Sequence, residues 1–252
     1  MLGQLPKWPK RLPQLSDEQL RIRDQFMAEW HDELPQRYKL IERFNHGYPV
    51  RRCGALRQGF RTLEIGAGLG GHLEFENLGA QEYFALELRP EMAARLQQRY
   101  PQCRTIVCDC QQRLPMPDAF FDRVLAIHVL EHLPDLPAAL GEIRRVLRPD
   151  GQFCVVIPCE GGIAYSLARN ISARRLFEKR FGQSYDWLIQ SEHINVPQEI
   201  FEELSRLFEI QHREFFPLPF PVVTLNLCIG LTLKPRRGMR SERDRSGAQR
   251  PR

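Results

Sequence analysis

The chain contains 252 residues, of which 42% are hydrophobic and 27% charged, and its formal net charge is +5. This length suits one α/β domain with appendages, or at most two small domains, and the composition indicates a packed core. No run of about 18 apolar residues occurs, so no membrane-spanning helix is predicted. The N-terminus is basic but lacks an apolar stretch, so we expect no secretory signal and a cytoplasmic protein.

The positive charge is concentrated towards the C-terminus. Residues 234–252 hold eight basic and two acidic residues, so the rest of the chain sums to −1. Because the body of the protein is close to neutral, its charge does not indicate a nucleic-acid-binding surface. The segment has no apolar periodicity, so we expect a disordered, solubilising tail, with phosphate contact as the alternative.

The seven cysteines form no recognisable framework. Their number is odd, and no two of them have the C-x-x-C spacing. We therefore expect reduced thiols, and we predict neither a set of disulfides nor a zinc site.

The predicted elements begin with a helical layer. Residues 1–15 are rich in proline, and we expect them to be extended. Ser16 and Gln19 form a capping-box pattern, and apolar residues at helical spacing follow until Pro35 interrupts them. A second helical piece ends near NHGYPV. We expect this layer, residues 16–58, to pack on the main domain and to edge its cleft.

From residue 60 onwards, short apolar runs alternate with amphipathic stretches. The runs are FRTLEI, EYFALEL, TIVCD, FDRVLAIHVL and GQFCVVIP. Such alternation is typical of βαβ units and a mostly parallel sheet. Two later runs, LFEIQHREFF and VTLNLCIGLTL, are joined only by a proline-rich link. They predict an antiparallel pair that closes the sheet.

The segment RTLEIGAGLGGHLEFE, residues 61–76, fits two nucleotide-binding patterns. Gly66, Gly68 and Gly71 satisfy the dinucleotide pattern G-x-G-x-x-G, whereas Gly70 in third place gives the looser G-x-G-x-G of proteins that bind S-adenosylmethionine (SAM). The segment follows a predicted strand and precedes a short helix, as such loops require. Glycine permits the tight turn and a close approach of backbone to ligand. An ordinary strand-to-helix turn is the alternative.

Two acidic residues stand at the ends of the next two predicted strands. Glu87 lies at the end of the run EYFALEL, and Asp109 ends the run TIVCD, one βα unit later. A carboxylate at the first position can accept both ribose hydroxyls in either type of cofactor. An adenine over the third strand end could donate to Asp109 and accept from the backbone of Cys110. The alternative for Asp109 is a helix N-cap.

These features, with CDCQQRLPMPDAFFDRVLAIHVLEHLPD and EIRRVLRPDGQFCVVIP, resemble a class I SAM-dependent methyltransferase. The resemblance is to the branch that includes the ubiquinone- and menaquinone-pathway enzymes and many small-molecule methyltransferases. It covers residues 60–158 closely and extends loosely to 233. It implies an α/β, Rossmann-like fold with a seven-stranded, mostly parallel sheet, a final antiparallel strand pair, the N-terminal helical layer and a helical lid insertion.

The resemblance also implies a division of the chain and a cofactor, SAM. The methyltransferase domain spans 59–233, with an acceptor-pocket lid at 159–207, and the tail spans 234–252. Glu64, where many relatives have Asp, would bind the methionine amino group, and Ile127 and His128 would line the methionine end. The full set of expected SAM-binding residues is Glu64, Gly66, Ala67, Gly68, Glu87, Leu88, Asp109, Cys110, Ile127 and His128.

The sequence HVLEH supplies His128, Glu131 and His132. It also spells the inverted zinc-protease motif. We reject that interpretation because the motif leaves a buried strand instead of lying within a long helix. Some quinone O-methyltransferases carry E-x-x-E-H here, where a divalent ion can bind, but His128 replaces the first Glu. We predict no metal, and we expect Glu131 and His132 to cap a helix and hold the loop.

The lid segment, 159–207, begins with CEGG, which indicates a flexible exit from the sheet. It combines aromatic and basic residues, which suit a sugar, a phosphorylated acceptor or another anion. An amphipathic cap helix with a solvated basic face is the alternative. An acceptor hydroxyl needs a general base. Glu192 and His193 in SEHIN are the best candidates, with His128 as a third. A loop anchor is the alternative for Glu192 and His193.

The leading functional hypothesis is an enzyme that methylates a small molecule, a glycan or a lipid-linked acceptor, at a hydroxyl. The alternatives are a protein or RNA methyltransferase and a non-catalytic SAM-binding module. We expect no stable nucleic-acid complex and no transmembrane segment. A peripheral membrane contact is compatible with the sequence, which leaves the acceptor and the oligomeric state open.

Overall fold

The computed structural model describes residues 7–53 and 57–237, except for the side chains of residues 28–37. Its strands are β1 (Phe60–Ile65), β2 (Gln81–Glu87), β3 (Arg104–Val107), β4 (Phe121–Ile127), β5 (Leu147–Pro158), β6 (Phe208–Phe216) and β7 (Cys228–Pro235). Its α-helices are α1 (Asp17–Arg37), α2 (Lys39–Arg52), α3 (Pro90–Arg99), α4 (Leu136–Val146), α5 (Ile163–Arg169), α6 (Arg175–Phe181), α7 (Asp186–Glu192) and α8 (Pro197–Leu207).

The strands form one sheet in the order β3-β2-β1-β4-β5-β7-β6. The first five strands are parallel to their neighbours, whereas β7 lies antiparallel between β5 and β6. The strand order reverses between β1 and β4, which is where open α/β sheets bind ligands. The predicted fold, a mostly parallel seven-stranded sheet with a final antiparallel pair, is confirmed.

Helices cover both faces of the sheet because alternate strand residues point to opposite sides. On one face, Leu63 and Ile65 of β1 lie in a core with the apolar side of α4 and with α8. On the other face, Tyr83 of β2 packs with Leu96 of α3. Within the described ranges, no helix is both long enough and apolar enough to span a membrane.

The N-terminal layer begins with the predicted capping box. The Ser16 amide donates to the Gln19 side chain at 2.9 Å, and the Gln19 amide donates to Ser16 Oγ at 3.2 Å. Pro35 does not interrupt the helix, which continues to Arg37. The break comes instead at Tyr38, immediately before α2.

The ring of Tyr48 attaches α2 to the sheet. Tyr48 is fully buried, and a Cβ built on Gly230 of β7 would lie only 2.6 Å from its ring atoms. The Tyr48 hydroxyl lies 3.0 Å from Thr232 Oγ1 and 3.2 Å from His212 Nδ1. The absence of a side chain at Gly230 therefore sets how closely the helical layer approaches the sheet.

The lid is a run of short helices between β5 and α8. Asn170–Arg174 forms a π-helical turn that joins α5 to α6 without a break. Phe177 of α6 is fully buried, and its ring packs edge-on against Phe26 of α1 with centroids 5.2 Å apart. The lid is thereby fixed to the N-terminal layer as well as to the sheet.

Two sequence predictions need correction here. The first residues of the predicted tail are ordered, because the β6–β7 ladder continues through Lys234 and Pro235. Arg236 Nε then donates to the carbonyl of Ser205 at 2.8 Å. Residues 238–252 of that tail, like 1–6 and 54–56, lie outside the described residues.

The second correction concerns the cysteines. The sulfur atoms of Cys53 and Cys154 lie in bonding contact, with Cα atoms 6.4 Å apart, so the expectation of reduced thiols fails for this pair. The end of α2 meets the face of β5 here, at a Cα separation that suits a disulfide. The pair is 101 residues apart in sequence, and its spacing carries no signal. The free cysteines are Cys103, Cys108, Cys110, Cys159 and Cys228.

We predict that Gly230→Ala destabilises the protein, because the new methyl group overlaps the Tyr48 ring. Overpacking of this kind typically costs about 1–3 kcal/mol. In a chain of this size each kcal/mol lowers Tm by roughly 2–4 °C. The matched control is Gly141→Ala in α4, where nothing lies within 4 Å of the new Cβ. Thermal unfolding should show a lower Tm for the first variant only, and equal Tm values would contradict the Tyr48 contact.

Candidate functional site

The glycine loop turns directly out of β1. Gly66, Gly68 and Gly70 have φ values of 67°, 55° and 81°, in the left-handed region that favours glycine. A Cβ on Gly66 would lie 2.7 Å from a methyl group of Val129, at the end of β4. The amide of Ala67 donates to the carbonyl of Leu86 at 3.0 Å. The loop is thus held against the carboxyl ends of the two neighbouring strands, and it is exposed at Gly66.

Glu87 holds the loop from the end of β2. Its side chain is buried, and Oε2 accepts a hydrogen bond from the Gly68 amide at 2.9 Å. Oε1 accepts from the amide and from Nε of Arg89, at 3.0 and 3.2 Å. A carboxylate has about four acceptor positions. Three of these positions are occupied, so Oε2 has one left for a ribose hydroxyl, and the second hydroxyl that the sequence predicts would have to replace the Arg89 side chain on Oε1.

The other residues expected at the adenosine end lie along the same edge. Asp109 is two residues beyond β3, and its Oδ1 accepts from the amide and the side chain of Gln111, at 2.9 and 3.0 Å. Those bonds belong to a local turn, the kind of role that the sequence allows as the alternative. Cys110 is buried, and Leu88 beside Glu87 is 60% exposed. Their contact with adenosine stays a prediction.

Glu64 lies on β1 beneath the loop. It is buried, and it accepts a hydrogen bond from the Tyr83 hydroxyl at 2.9 Å. Burial raises the pKa of Glu64 to about 8, against the hydrogen bond from Tyr83, which lowers it. The carboxyl group is therefore protonated at neutral pH, and an ammonium group must displace its proton to pair with it. The predicted contact with the methionine amino group remains untested.

His128 follows Ile127 at the end of β4 with a φ of 52°, and its amide donates to the Val156 carbonyl at 2.8 Å. Its Nδ1 lies 3.2 Å from Glu131 Oε1. Burial lowers the pKa of His128, but hydrogen bonds with Cys228 and Glu131 outweigh it and raise the pKa well above the ordinary value. His128 is thus cationic at neutral pH.

Glu131 is the buried counter-ion of this histidine. Burial alone would raise its pKa, yet the hydrogen bond with His128 and the charges of His132, His128 and His193 lower it to about 2. The backbone carbonyl of Glu131 accepts from the amides of Ile194 and Asn195, at 2.9 and 3.0 Å. The motif therefore holds the loop before α8, as expected.

The expected helix cap is formed by a different residue. Asp135 accepts a hydrogen bond from the Ala138 amide and caps α4, so Glu131 and His132 do not. Within the residues that the structure describes, no three His, Cys, Asp or Glu side chains are arranged to hold a metal ion.

A cavity of about 260 Å³ opens beside His128. Three parts of the chain enclose it: the N-terminal helical layer, the HVLEH motif and the lid. The main polar lining residues are Glu42, Asn45, His128, Glu131, His132, Arg169, Glu192 and His193. All three catalytic candidates predicted from the sequence, His128, Glu192 and His193, thus face one space.

His193 is paired with a carboxylate that the sequence interpretation missed. Its Nδ1 lies 2.8 Å from Glu160 Oε2, and Arg169 donates to Glu160 Oε1 at 2.5 Å. Burial raises the pKa of Glu160, but these two partners outweigh it and lower the pKa. Glu160 lies two residues beyond β5, just as Asp109 lies two residues beyond β3. The same reasoning about acids at strand ends would have found it, whereas the glycines of CEGG indicate only a flexible exit.

His132 and Glu192 lie next to this pair. The rings of His132 and His193 meet edge to face, with centroids 5.0 Å apart. His132 Nδ1 donates to the backbone carbonyl of Glu192 at 2.7 Å, and the Glu192 carboxylate lies 3.7 Å from the same atom. Burial lowers the pKa of His132, so this ring is neutral at neutral pH.

The cavity and the glycine loop are adjacent. His128 lines the cavity, and Val129, the next residue, touches Gly66 of the loop. On α2, Glu42 lines the cavity and its carboxylate lies 3.1 Å from His46 Nε2. The same nitrogen lies 3.7 Å from the Cβ position of Gly71. A ligand on the loop and one in the cavity would therefore be close neighbours.

Comparison with known proteins identifies the central part of the chain. Residues 63–155 match the family model of the methyltransferase domain. They form a methyltransferase domain. For this domain, the prediction of a class I SAM-dependent methyltransferase with SAM as its cofactor is confirmed.

Two curated relatives are similar over this domain. The chain is 32% identical over 107 residues to the sterol 4-C-methyltransferase strm-1 of Caenorhabditis elegans, covering 40% of this chain and 31% of that protein. It is 36% identical over 95 residues to a malonyl-[acyl-carrier protein] O-methyltransferase of Halorhodospira halophila, covering 36% and 32%. The methyltransferase domain is therefore shared, whereas the chain spans only about a third of either relative's length.

The fold extends beyond this domain. A TehB-like SAM-dependent methyltransferase from Corynebacterium glutamicum superposes with a TM-score of 0.58 at 15% identity, covering 86% of this chain and all of that one. At this identity the likeness concerns the fold alone.

We predict that Glu64→Gln stabilises the domain increasingly as pH rises. An unfolded Glu64 ionises near 4.5, whereas the folded residue keeps its proton up to about 8. Between these values the unfolded state alone loses the proton, so the wild type loses up to about 1.4 kcal/mol of stability per pH unit. Glutamine keeps the Tyr83 bond and does not titrate. Urea unfolding should show that the free energy of unfolding of Glu64→Gln increasingly exceeds that of the wild type as pH rises across this range. Glu82→Gln is the control and should show no such trend. A difference between Glu64→Gln and the wild type that does not change with pH would contradict the raised pKa.

For the cofactor site, we predict that Glu87→Ala weakens SAM binding at least tenfold. The substitution removes charged acceptors, whose hydrogen bonds are worth roughly 1.5–3 kcal/mol each, and releases the Gly68 amide. Calorimetric titration measures the affinity. Glu82→Ala, at the opposite end of β2, is the control and should bind SAM as the wild type does. An unchanged affinity for SAM in the Glu87 variant would show that Glu87 does not bind the cofactor.

Proposed function

We propose that the protein transfers the methyl group of SAM to a hydroxyl of a small, partly apolar acceptor held in the 260 Å³ cavity. The observation that carries the proposal is the His193–Glu160 pair. His193 of this pair lines the cavity, and so does His128, whose neighbour in sequence, Val129, contacts the glycine loop.

The residues of the loop suit the cofactor. Gly66 and Gly68 adopt left-handed φ values that make the tight turn, Gly66 is exposed, and the buried Glu87 carboxylate is bonded to the Gly68 amide. When bound, SAM supplies a methyl group that its sulfonium already activates. The protein then has to align the acceptor, exclude water and remove a proton.

His193 is suited to remove that proton. Because the ionised Glu160 accepts the Nδ1 proton, the neutral ring carries its lone pair on Nε2. Nε2 takes the proton of the acceptor hydroxyl as its oxygen forms the new bond to carbon and the carbon–sulfur bond breaks. Glu160 keeps the ring in this tautomer and stabilises the imidazolium that results, as a carboxylate does in a catalytic triad.

His128 suits a different role. It is cationic at neutral pH and paired with the buried Glu131, so it has no free lone pair with which to act as a base. It is fixed at the end of β4 by its backbone bond to Val156. We propose that it shapes the wall between cofactor and acceptor, and that its backbone lines the methionine end of SAM.

The cavity lining supports an acceptor with an apolar body and polar substituents. Its apolar walls come from α1, α2, α7 and the start of β7, and include Phe26, Ile41, Leu188, Ile189 and Leu227. Three buried polar atoms that face this space lack a hydrogen-bond partner among the described residues: Asn45 Oδ1, Glu131 Oε2 and Arg169 Nε. Unpaired buried polar atoms are costly, so a ligand that supplies two hydroxyl donors and one acceptor would be favoured.

The similarity to a sterol C-methyltransferase and to a malonyl-[acyl-carrier protein] O-methyltransferase is compatible with an acceptor that carries an apolar moiety. Their names differ in the atom that is methylated. The choice of a hydroxyl therefore rests on the base, His193, and not on the relatives.

We predict that His193→Ala lowers turnover by roughly a hundredfold or more, the usual contribution of general-base catalysis. SAM affinity should stay unchanged. Glu160→Gln should also lower turnover and alter its pH profile, because the amide no longer fixes the tautomer. Glu192→Gln is the control in the same loop and should have the smaller effect. Full turnover in His193→Ala with intact SAM binding would contradict the role of His193.

The assay measures S-adenosylhomocysteine formation from SAM with cell extract as the source of acceptor. Protease-treated and ribonuclease-treated extracts separate a small-molecule acceptor from protein and RNA. The proposal expects activity to survive both treatments. SAM binding without product in any extract would instead indicate a non-catalytic SAM-binding module.

A further inference from the structure

The outer surface of the lid is unusually apolar. Ile163, Leu167 and Ile171 are 71%, 58% and 56% exposed. They stand four residues apart, so they follow one side of α5 and its π-helical continuation. The cavity is lined from this same segment by Tyr165, Ala168 and Arg169. The segment thus separates the cavity from a row of apolar side chains turned to solvent.

Two basic residues continue this row at the same four-residue spacing. Arg175 and Lys179 are exposed, and they share a surface groove of about 470 Å³ with Ile171. Neither forms a salt bridge with any residue that the structure describes. The segment 161–177 contains three arginines and no acidic residue. Two free cations therefore adjoin the apolar row.

A second exposed apolar element lies beside the start of α5. The loop between β6 and β7, residues 217–227, contains no charged residue. Its backbone packs against α5, because a Cβ on Gly162 would lie 2.7 Å from the Val223 carbonyl. Phe220 and Leu225 of this loop are 62% and 51% exposed.

Hydrogen bonds of one buried side chain hold this loop in a defined conformation. Asn226 is fully buried, and its side chain accepts from the Leu218 amide at 2.8 Å. It also donates to the carbonyls of Phe220 and Val222, each at 3.0 Å. The loop satisfies its own backbone and presents apolar side chains outwards. Contiguous exposed apolar surface of this kind marks an interaction site.

We propose that this face docks on the surface of a lipid bilayer that contains anionic lipids. We call it the lid face and define it by Ile163, Leu167, Ile171, Arg175, Lys179, Phe220 and Leu225. An apolar row flanked by basic side chains is the pattern of interfacial helices, whose cations bind lipid phosphates. A second copy of the chain is the poorer occupant, because it would bring more positive charge to the same surface. Docking would place the wall of the acceptor cavity against the bilayer.

The test is sedimentation of the full chain with vesicles of phosphatidylcholine alone or with added phosphatidylserine. We expect binding to the anionic vesicles and weaker binding at high salt. Arg175→Gln/Lys179→Gln should lower the partition coefficient at least tenfold, and so should Ile163→Ser/Leu167→Ser/Ile171→Ser. These side chains are exposed, so circular dichroism should show an unchanged fold.

Matched controls make the test specific. Arg104→Gln/Arg113→Gln removes two exposed charges elsewhere, and Leu12→Ser/Val107→Ser removes exposed apolar residues elsewhere. Both should bind vesicles as the wild type does. Equal binding by lid-face and control variants would overturn the proposal. So would absence of vesicle binding, or a dimer in solution that the lid-face substitutions dissociate. No SAM or acceptor is present, so the result is independent of the proposed function.

Discussion

The contact between Gly66 and Val129 fixes the geometry on which the rest of the site depends. It brings the loop after β1 against the end of β4, and a single added carbon would separate them. His128, the residue before Val129, leaves β4 with a φ of 52° and lines the cavity. The glycine loop and the cavity are consequently in contact with consecutive residues, Val129 and His128, that follow β4.

Charge within the site is compensated in pairs. His128 faces Glu131, and His193 faces Glu160, which Arg169 also contacts. Each carboxylate is ionised at neutral pH because its partners outweigh the effect of burial. The two histidines nevertheless differ in their surroundings. Hydrogen bonds with Cys228 and Glu131 raise the pKa of His128, whereas His193 contacts Glu160 through Nδ1 and meets the ring of His132 edge to face.

Much of this arrangement could be predicted from the sequence, and the remainder could not for definable reasons. Strand ends are local features, so the positions of the glycine loop and of Glu87 followed from apolar runs and spacing. His193 and Glu160 are 33 residues apart in sequence, at the two ends of the lid. No periodicity of the sequence predicts a contact between them. Asn45 on α2 lines the cavity, and α2 is attached to the sheet by contacts such as that of the Tyr48 ring with Gly230 of β7, which is distant in sequence.

The π-helical turn at Asn170–Arg174 has an evolutionary consequence. Such a turn accommodates about one residue more than an α-helical turn, so deleting one residue would turn α6 relative to α5 by roughly 100°. Tyr165 and Arg169 would keep their places, while Phe177 would leave the cluster that it shares with Phe26. The loss or gain of a single codon here would therefore change which residues line one side of the cavity, while β1 to β5 stayed intact. Homologous proteins could diverge in what they methylate by this route without touching their cofactor.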